Sequence, residues 1–221
     1  MALKTVGNSW LREHFNLKKY RLTHNSYIGN NEKVELNAQG EVSQIYGRKY
    51  TPDEDTPLAH LIFSLKYDDL DFPFLKAVFN QLGPQDIIDF ISISPSGKYA
   101  RKIGFLYEFL CGIVLDLPYL ISGNYTDLLE ETEYITGRVI KENRWRINNN
   151  LLGTFLFCPV IRRTAILNQL LSTDIRSQIE NLKANYSADV FRRATNYLYS
   201  KETRSSYEIE KEKPSAERMN R

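Results

Sequence analysis

The sequence predicts a mainly α-helical protein: a bundle-like helical domain with a small N-terminal β-hairpin and a protruding C-terminal helix. Three observations carry this expectation. From Leu58 to Ile113 the apolar residues recur at the intervals that align side chains on one face of a helix. Two short stretches, EKVELN and EVSQIYG, alternate apolar and polar residues around an Ala38-Gln39-Gly40 turn, as half-buried strands do. The last third is punctuated by Ser, Thr, Asp and Asn at places where helices begin. With 221 residues, 42% hydrophobic and 12% aromatic, the chain can bury a substantial core in one or two domains.

In chain order, a short helix is expected around Trp10 to Phe15, followed by the hairpin. Asp53 to Pro57 reads as a polar linker, and Thr56-Pro57 supplies a cap and a first-turn proline for the next helix. Leu58, Leu61, Ile62 and Leu65 form one stripe, and Phe72, Leu75, Val78, Phe79 and Leu82 a second. Gly83-Pro84 separates these from a helix over Asp86 to Ile93. Lys98 to Leu115 is apolar on two faces, through Tyr99, Ile103, Leu106, Leu110 and Ile113 and through Phe105 and Phe109, so it belongs in the middle of a core.

Residues 116–154 are rich in turn formers, Pro118, Gly123, Asn124, Asn148 to Asn150 and Gly153, with one strand-like run, TEYITGRVI. They read as a long irregular surface loop. Helices resume over Ala165 to Leu171, Ile175 to Ala184 and Asp189 to about Lys211. In the last of these Val190, Phe191, Ala194, Tyr197 and Leu198 form the expected buried side, and residues 201–213 are mostly charged and need a partner surface. The chain so read divides into an N-terminal segment with the hairpin (1–52), a helical domain (53–186) and a C-terminal helical stretch (187–221).

Charge and cysteine content narrow the function classes. Lys and Arg number 29 against 27 Asp and Glu, a formal charge of +2, which argues against a dedicated nucleic-acid binder. The local clusters Lys98, Arg101, Lys102, then Arg144 and Arg146 around Trp145, then Arg162 and Arg163, read either as a basic binding surface or as ordinary solvated charge. Asp53-Glu54-Asp55 and Asp68-Asp69 read either as metal ligands or as acids drawn to helix starts, the latter preferred. Cys111 and Cys158 stand in apolar company without metal-site spacing and read as buried thiols. The start of the chain lacks the apolar centre of a signal peptide, and Glu108, Asp116 and Pro118 interrupt the one candidate membrane span, so the expected compartment is the cytoplasm.

The run LYSKETRSSYEIEKEKPSAERMNR adds a specific signal. Ser206 and Glu210 share one helix face, four residues apart. With paired Ser205 and Ser206, Ile209-Glu210 and the following Pro214-Ser215, this run resembles the inhibitory-helix segment, (S/T)xxxE(G/N), of Fic-family (Fido-domain) adenylyltransferases in which that helix precedes the catalytic core. Upstream, GKYARKIGFLYEFLCGIVLDLP, GNY and NNLLGTFLFCPVIRRT resemble the region that precedes the core in one subgroup, so the likeness spans residues from about Tyr46 onward. Lys211 departs from the family's Gly or Asn, residues that end helices easily.

The resemblance implies a mechanism. Fic enzymes carry HxFx(D/E)GNGRxxR, whose His takes a proton from a target hydroxyl, whose acid holds a divalent metal, and whose arginine holds the terminal phosphate of ATP. The inhibitory glutamate pairs with that arginine and misplaces ATP. Carried onto this chain, Glu210 makes that contact, Ser206 orients or caps it, and Tyr207 and Ile209 pack the helix on the core. None of His14, His24 and His60 stands in the catalytic motif, so ATP and Mg belong to a Fic core outside these residues. The implied role is regulatory, within a longer enzyme or in trans as small antitoxins of other Fic classes act. The alternative is a helical module that selects a protein or nucleic-acid target.

Overall fold

The structure is a computed structural model that describes residues 3–120 and 122–209. Two compact units divide at Arg163/Thr164, a different division from the one read off the sequence. The chain is predominantly helical with notable sheet content.

In the first unit, β1 (Lys4–Val6), α1 (Asn8–His14), β2 (His24–Gly29), β3 (Lys33–Leu36) and β4 (Val42–Gly47) come first. The expected hairpin is there as the antiparallel pair β3–β4. It is part of a four-stranded sheet, ordered β1-β2-β4-β3, in which β2 runs parallel to β4. The two strands that sequence reading missed are short and polar: β2 is HNSYIG, yet its burial alternates strictly, with His24, Ser26 and Ile28 turned inward. Val6, Ile28, Tyr46 and Phe63 bury one face of this sheet against the next helix, which ties residues 1–52 to the helical part instead of leaving them as a separate segment.

The helix α2 (Pro57–Tyr67) starts as expected, with Thr56 Oγ1 accepting from the Ala59 N–H at 3.3 Å and Pro57 in the first turn. In α3 (Phe72–Ile93), Asp71 Oδ1 accepts from the Phe74 N–H at 2.9 Å. Gly83 interrupts α3 with φ 77° and ψ 171°, so the stretches before and after Gly83-Pro84 are distinct, as their stripes imply. The central helix α4 (Lys98–Cys111) is shorter than the expected Lys98 to Leu115. Gly112 adopts the left-handed conformation (φ 69°) and ends it, freeing Leu115 to turn back into the core. Residues 101–107 of α4 are all buried, the two-faced helix in the middle of the core.

The segment 116–154 departs most from expectation. It is not a surface loop: β5 (Thr126–Asp127), β6 (Ile140–Glu142) and β7 (Ile147–Asn149) form a three-stranded sheet, and Leu128, Leu129, Tyr134, Trp145, Ile147 and Leu151 are buried in the main core. Trp145, 3% exposed, packs against α4 at Gly104, where an added Cβ would stand 2.5 Å from the indole ring. Gly104→Val is therefore expected to displace Trp145 and cost about 1–3 kcal/mol of stability in urea unfolding, as overpacked cores do. A variant as stable as the parent would show that the indole does not occupy this face.

Candidate functional site

In the second unit, α5 (Ala165–Leu171), α6 (Ile175–Asn185) and α7 (Ala188–Ile209) follow the expected boundaries closely. Each is started by a side chain that accepts a free backbone N–H: Thr164 Oγ1 from Leu167 at 3.1 Å, Asp174 Oδ1 from Ser177 at 3.0 Å, and Ser187 Oγ from Val190 at 3.4 Å. The Ser177 contacts hold the Asp174 carboxyl below its ordinary range.

No described residue from Thr164 to Ile209 is buried. This corrects the expected buried side of α7: Val190 is 41% exposed, Tyr197 67% and Leu198 57%. The amphipathic pattern is real, but the three helices do not cover one another's apolar faces. Ser206 is exposed, Tyr207 half-buried and Ile209 82% exposed. Glu210, together with Lys211 and Pro214, lies outside the described residues.

In the first unit, the four arginines read either as a basic surface or as solvated charge each reach a specific acceptor within the chain, Arg162 while remaining 41% exposed. Glu108 on α4 receives three donors: Arg144 Nε at 3.0 Å, Trp145 Nε1 at 2.7 Å and the Leu115 N–H at 2.9 Å. The Arg144 guanidinium also donates to the Leu115 carbonyl and stacks over Tyr119 and Trp145. Arg146, with φ 47°, donates to the carbonyls of Leu120 and Gly123 at 3.2 and 3.1 Å. Arg162 pairs with Asp69, and Arg163 Nε reaches the carbonyls of Glu131 and Tyr134 at 2.8 and 3.2 Å.

Arg101 and Lys102, also grouped with the basic residues, are buried. Arg101 donates to Asn124 O and Arg146 O, and Lys102 to Leu128 O at 2.8 Å; burial lowers the pKa of both. These cations hold the irregular backbone of 116–163 by supplying the hydrogen bonds that short strands leave unmade.

Sequence reading did not find a polar cavity of about 180 Å³ lined by His24, Asp69, Tyr134 and Arg162 together with Asn8 and Leu22. The neighbouring Asp68 is buried and accepts from the Asn8 N–H at 2.7 Å and from the Ser26 hydroxyl; burial pushes its pKa up to about 6. Burial opposes ionisation of Asp69 as well, but His24 and Arg162 outweigh it and hold that carboxyl below its usual range. His24 Nδ1 lies 3.5 Å from Asp69, and His24 Nε2 has no hydrogen-bond partner among the described residues. The only sequence signal was the Asp68-Asp69 pair, and nothing local reveals that it faces β2.

Asp55 of the other acidic run accepts from His60 Nε2 at 2.9 Å and pairs with Lys4 at 3.2 Å. Among the described residues no group of three or more His, Cys, Asp or Glu side chains is placed to hold a metal ion. Cys111 and Cys158 are half-buried, and burial raises both thiol pKa values. No described helix is long and apolar enough to cross a membrane. Comparison of the chain with protein-family models, with curated proteins and with solved structures returns no match.

Proposed function

We propose that this chain is the regulatory, autoinhibitory N-terminal module of a Fic-type protein adenylyltransferase, in which Glu210 pairs with the phosphate-holding arginine of a Fic core and displaces the terminal phosphate of ATP. The reading rests on the Ser206 to Glu210 motif. The observation that carries it furthest is the uncovered state of the second unit. The 22 described residues of α7 reach Ile209, which is 82% exposed, in a unit without one buried described residue. Isolated amphipathic helices draw most of their stability from packing, so such a unit calls for a partner surface. A Fic core, in the same chain or in trans, is the partner that the motif specifies. A carboxylate forked onto a guanidinium is strong and directional enough to misplace a phosphate.

The test adds the chain to a separate Fic core bearing the HxFx(D/E)GNGRxxR motif, with ATP and Mg, and follows transfer of labelled AMP to protein. Inhibition is expected. Glu210→Gly should abolish it while leaving binding largely intact, and Ile209→Asp should weaken binding itself. Equal inhibition by Glu210→Gly would remove the mechanism. For the nucleic-acid alternative, Arg144, Arg146, Arg162 and Arg163 would have to serve while also donating to acceptors within the chain.

A further inference from the structure

The turn Thr154 to Phe157 carries three consecutive exposed large apolar side chains: Phe155 at 74%, Leu156 at 81% and Phe157 at 77%. The turn is closed on itself, with Thr154 N–H donating to Phe157 O at 3.0 Å and Phe157 N–H to Thr154 O at 3.1 Å. Gly153 permits this closure, since a Cβ there would meet Phe157 O at 2.0 Å. The apolar tip is therefore held in a defined shape. Runs of exposed apolar residues are costly in water and mark interaction sites where they persist.

Beside the tip lies a groove of about 620 Å³ whose lining includes Phe155, Cys158, Phe72, Ala77, Phe109 and Leu110. Its volume falls in the range that accepts bulky side chains. The charged side chains bordering it are Lys19 and Lys76, with no carboxylate among the lining residues, and the lysine amine of Lys19 lies 5.1 Å from the centre of the Tyr20 ring, also in the lining. Walls that include Phe72, Ala77, Phe109 and Leu110 beside the amides of Asn80 and Gln81, an exposed apolar tip, and lysines as the charged lining residues together define the complement. A second copy of this face would set lysines against lysines, and a bilayer would leave the concavity unfilled.

We infer that the groove beneath the Phe155 to Phe157 tip docks a segment of another protein that presents a bulky apolar side chain flanked by carboxylates. The apolar side chain lies against the paired rings of Phe72 and Phe109, whose centroids are 6.1 Å apart, with Phe155 of the tip beside it, and the acidic flanks meet Lys19 and Lys76. This inference is independent of the inhibitory helix, which lies in the other unit.

A random dodecapeptide display selection against the full chain tests it, with Kd of the enriched peptides then measured by fluorescence anisotropy. The expected consensus is an aromatic or leucine residue flanked by Asp or Glu. Binding of the enriched peptides should fall at least about tenfold in Phe155→Ser/Leu156→Ser and weaken as salt rises. In Lys19→Glu/Lys76→Glu the selected consensus should change to basic flanks. The three exposed tip residues and both lysines lie outside the core, and an unchanged urea midpoint in these variants checks that the fold is kept. Absence of an enriched consensus, a consensus without acids, or undiminished binding by the tip variant would overturn the inference. So would tip-dependent dimerisation in sedimentation, or tip-dependent uptake on anionic vesicles, without peptide binding.

Discussion

Glu108→Ala is expected to destabilise the first unit by about 3–5 kcal/mol, the range found when one partner of a buried ion pair is removed. The side chains of Glu108 and Arg144 are each only 16% exposed. Three donors converge on this carboxylate, so its loss leaves the Arg144 Nε–H, the Trp145 indole N–H and the Leu115 backbone N–H without this acceptor. Glu108→Gln separates charge from hydrogen bonding. The amide oxygen can still accept from Arg144 and Leu115, but the amide NH₂ then confronts the indole N–H. An intermediate loss of about 1–2 kcal/mol is expected for it. Urea unfolding measures both variants, and indole emission reports on Trp145 directly. A loss below about 0.5 kcal/mol for Glu108→Ala would mean that the three contacts are not made in solution.

The second large effect is a pH dependence of stability centred on Asp68. Its pKa rises from 3.8 to about 6 because burial disfavours the charge more than the Asn8 and Ser26 hydrogen bonds favour it, while His24 and Asp69 act from the same pocket in opposite senses. The folded chain therefore holds this proton more tightly than the unfolded chain. The resulting stabilisation is fully present below the ordinary pKa of 3.8 and is lost as pH rises through about 6. At roughly 1.4 kcal/mol per pKa unit, about 3 kcal/mol is at stake. Asp69 contributes oppositely: its lowered pKa gives stability that is lost as the pH falls into the acid range. Asp68→Asn isolates the first effect. The difference in unfolding free energy between parent and variant should change by about 2–3 kcal/mol between about pH 4 and pH 7. A flat difference across that window would show that Asp68 does not take up a proton on folding.

How much of this was legible in the sequence depended on how local the determinants are. Thr56, Asp174 and Ser187 cap helices through N–H groups three residues away, and Gly83-Pro84 breaks α3 by its own dihedral restrictions, so these features could be read directly. The hairpin was legible for the same reason, since its turn and alternation lie in one short run. The end of α4 was misplaced because Gly112 stands within a stripe that continues past it to Ile113, and a glycine in a left-handed conformation overrides periodicity.

The segment 116–154 and the polar cavity required the folded chain. Turn formers such as Asn148 to Asn150 read as loop, yet Asn150 hydrogen-bonds the backbone of Leu129 in both directions, Arg101 and Lys102 reach over from α4 to the carbonyls of Asn124 and Leu128, and Arg144 reaches back to that of Leu115. These contacts join residues 21 or more positions apart, so no local pattern encodes them. The basic residues were ambiguous for the same reason: charge is visible in a sequence, but the distant acceptor it reaches is not.

The sequence by itself determined the helices, their caps and breaks, the charge balance, and the Ser206 to Glu210 motif, because each depends on dihedral preference or spacing within a few residues. Tertiary structure alone decided that Asp68 faces β2, that Glu108 gathers three donors, that Phe155 to Phe157 stand in water, and that α7 keeps its apolar side uncovered. Burial is a property of what lies across the fold, and the physical cost or gain of each side chain is set there.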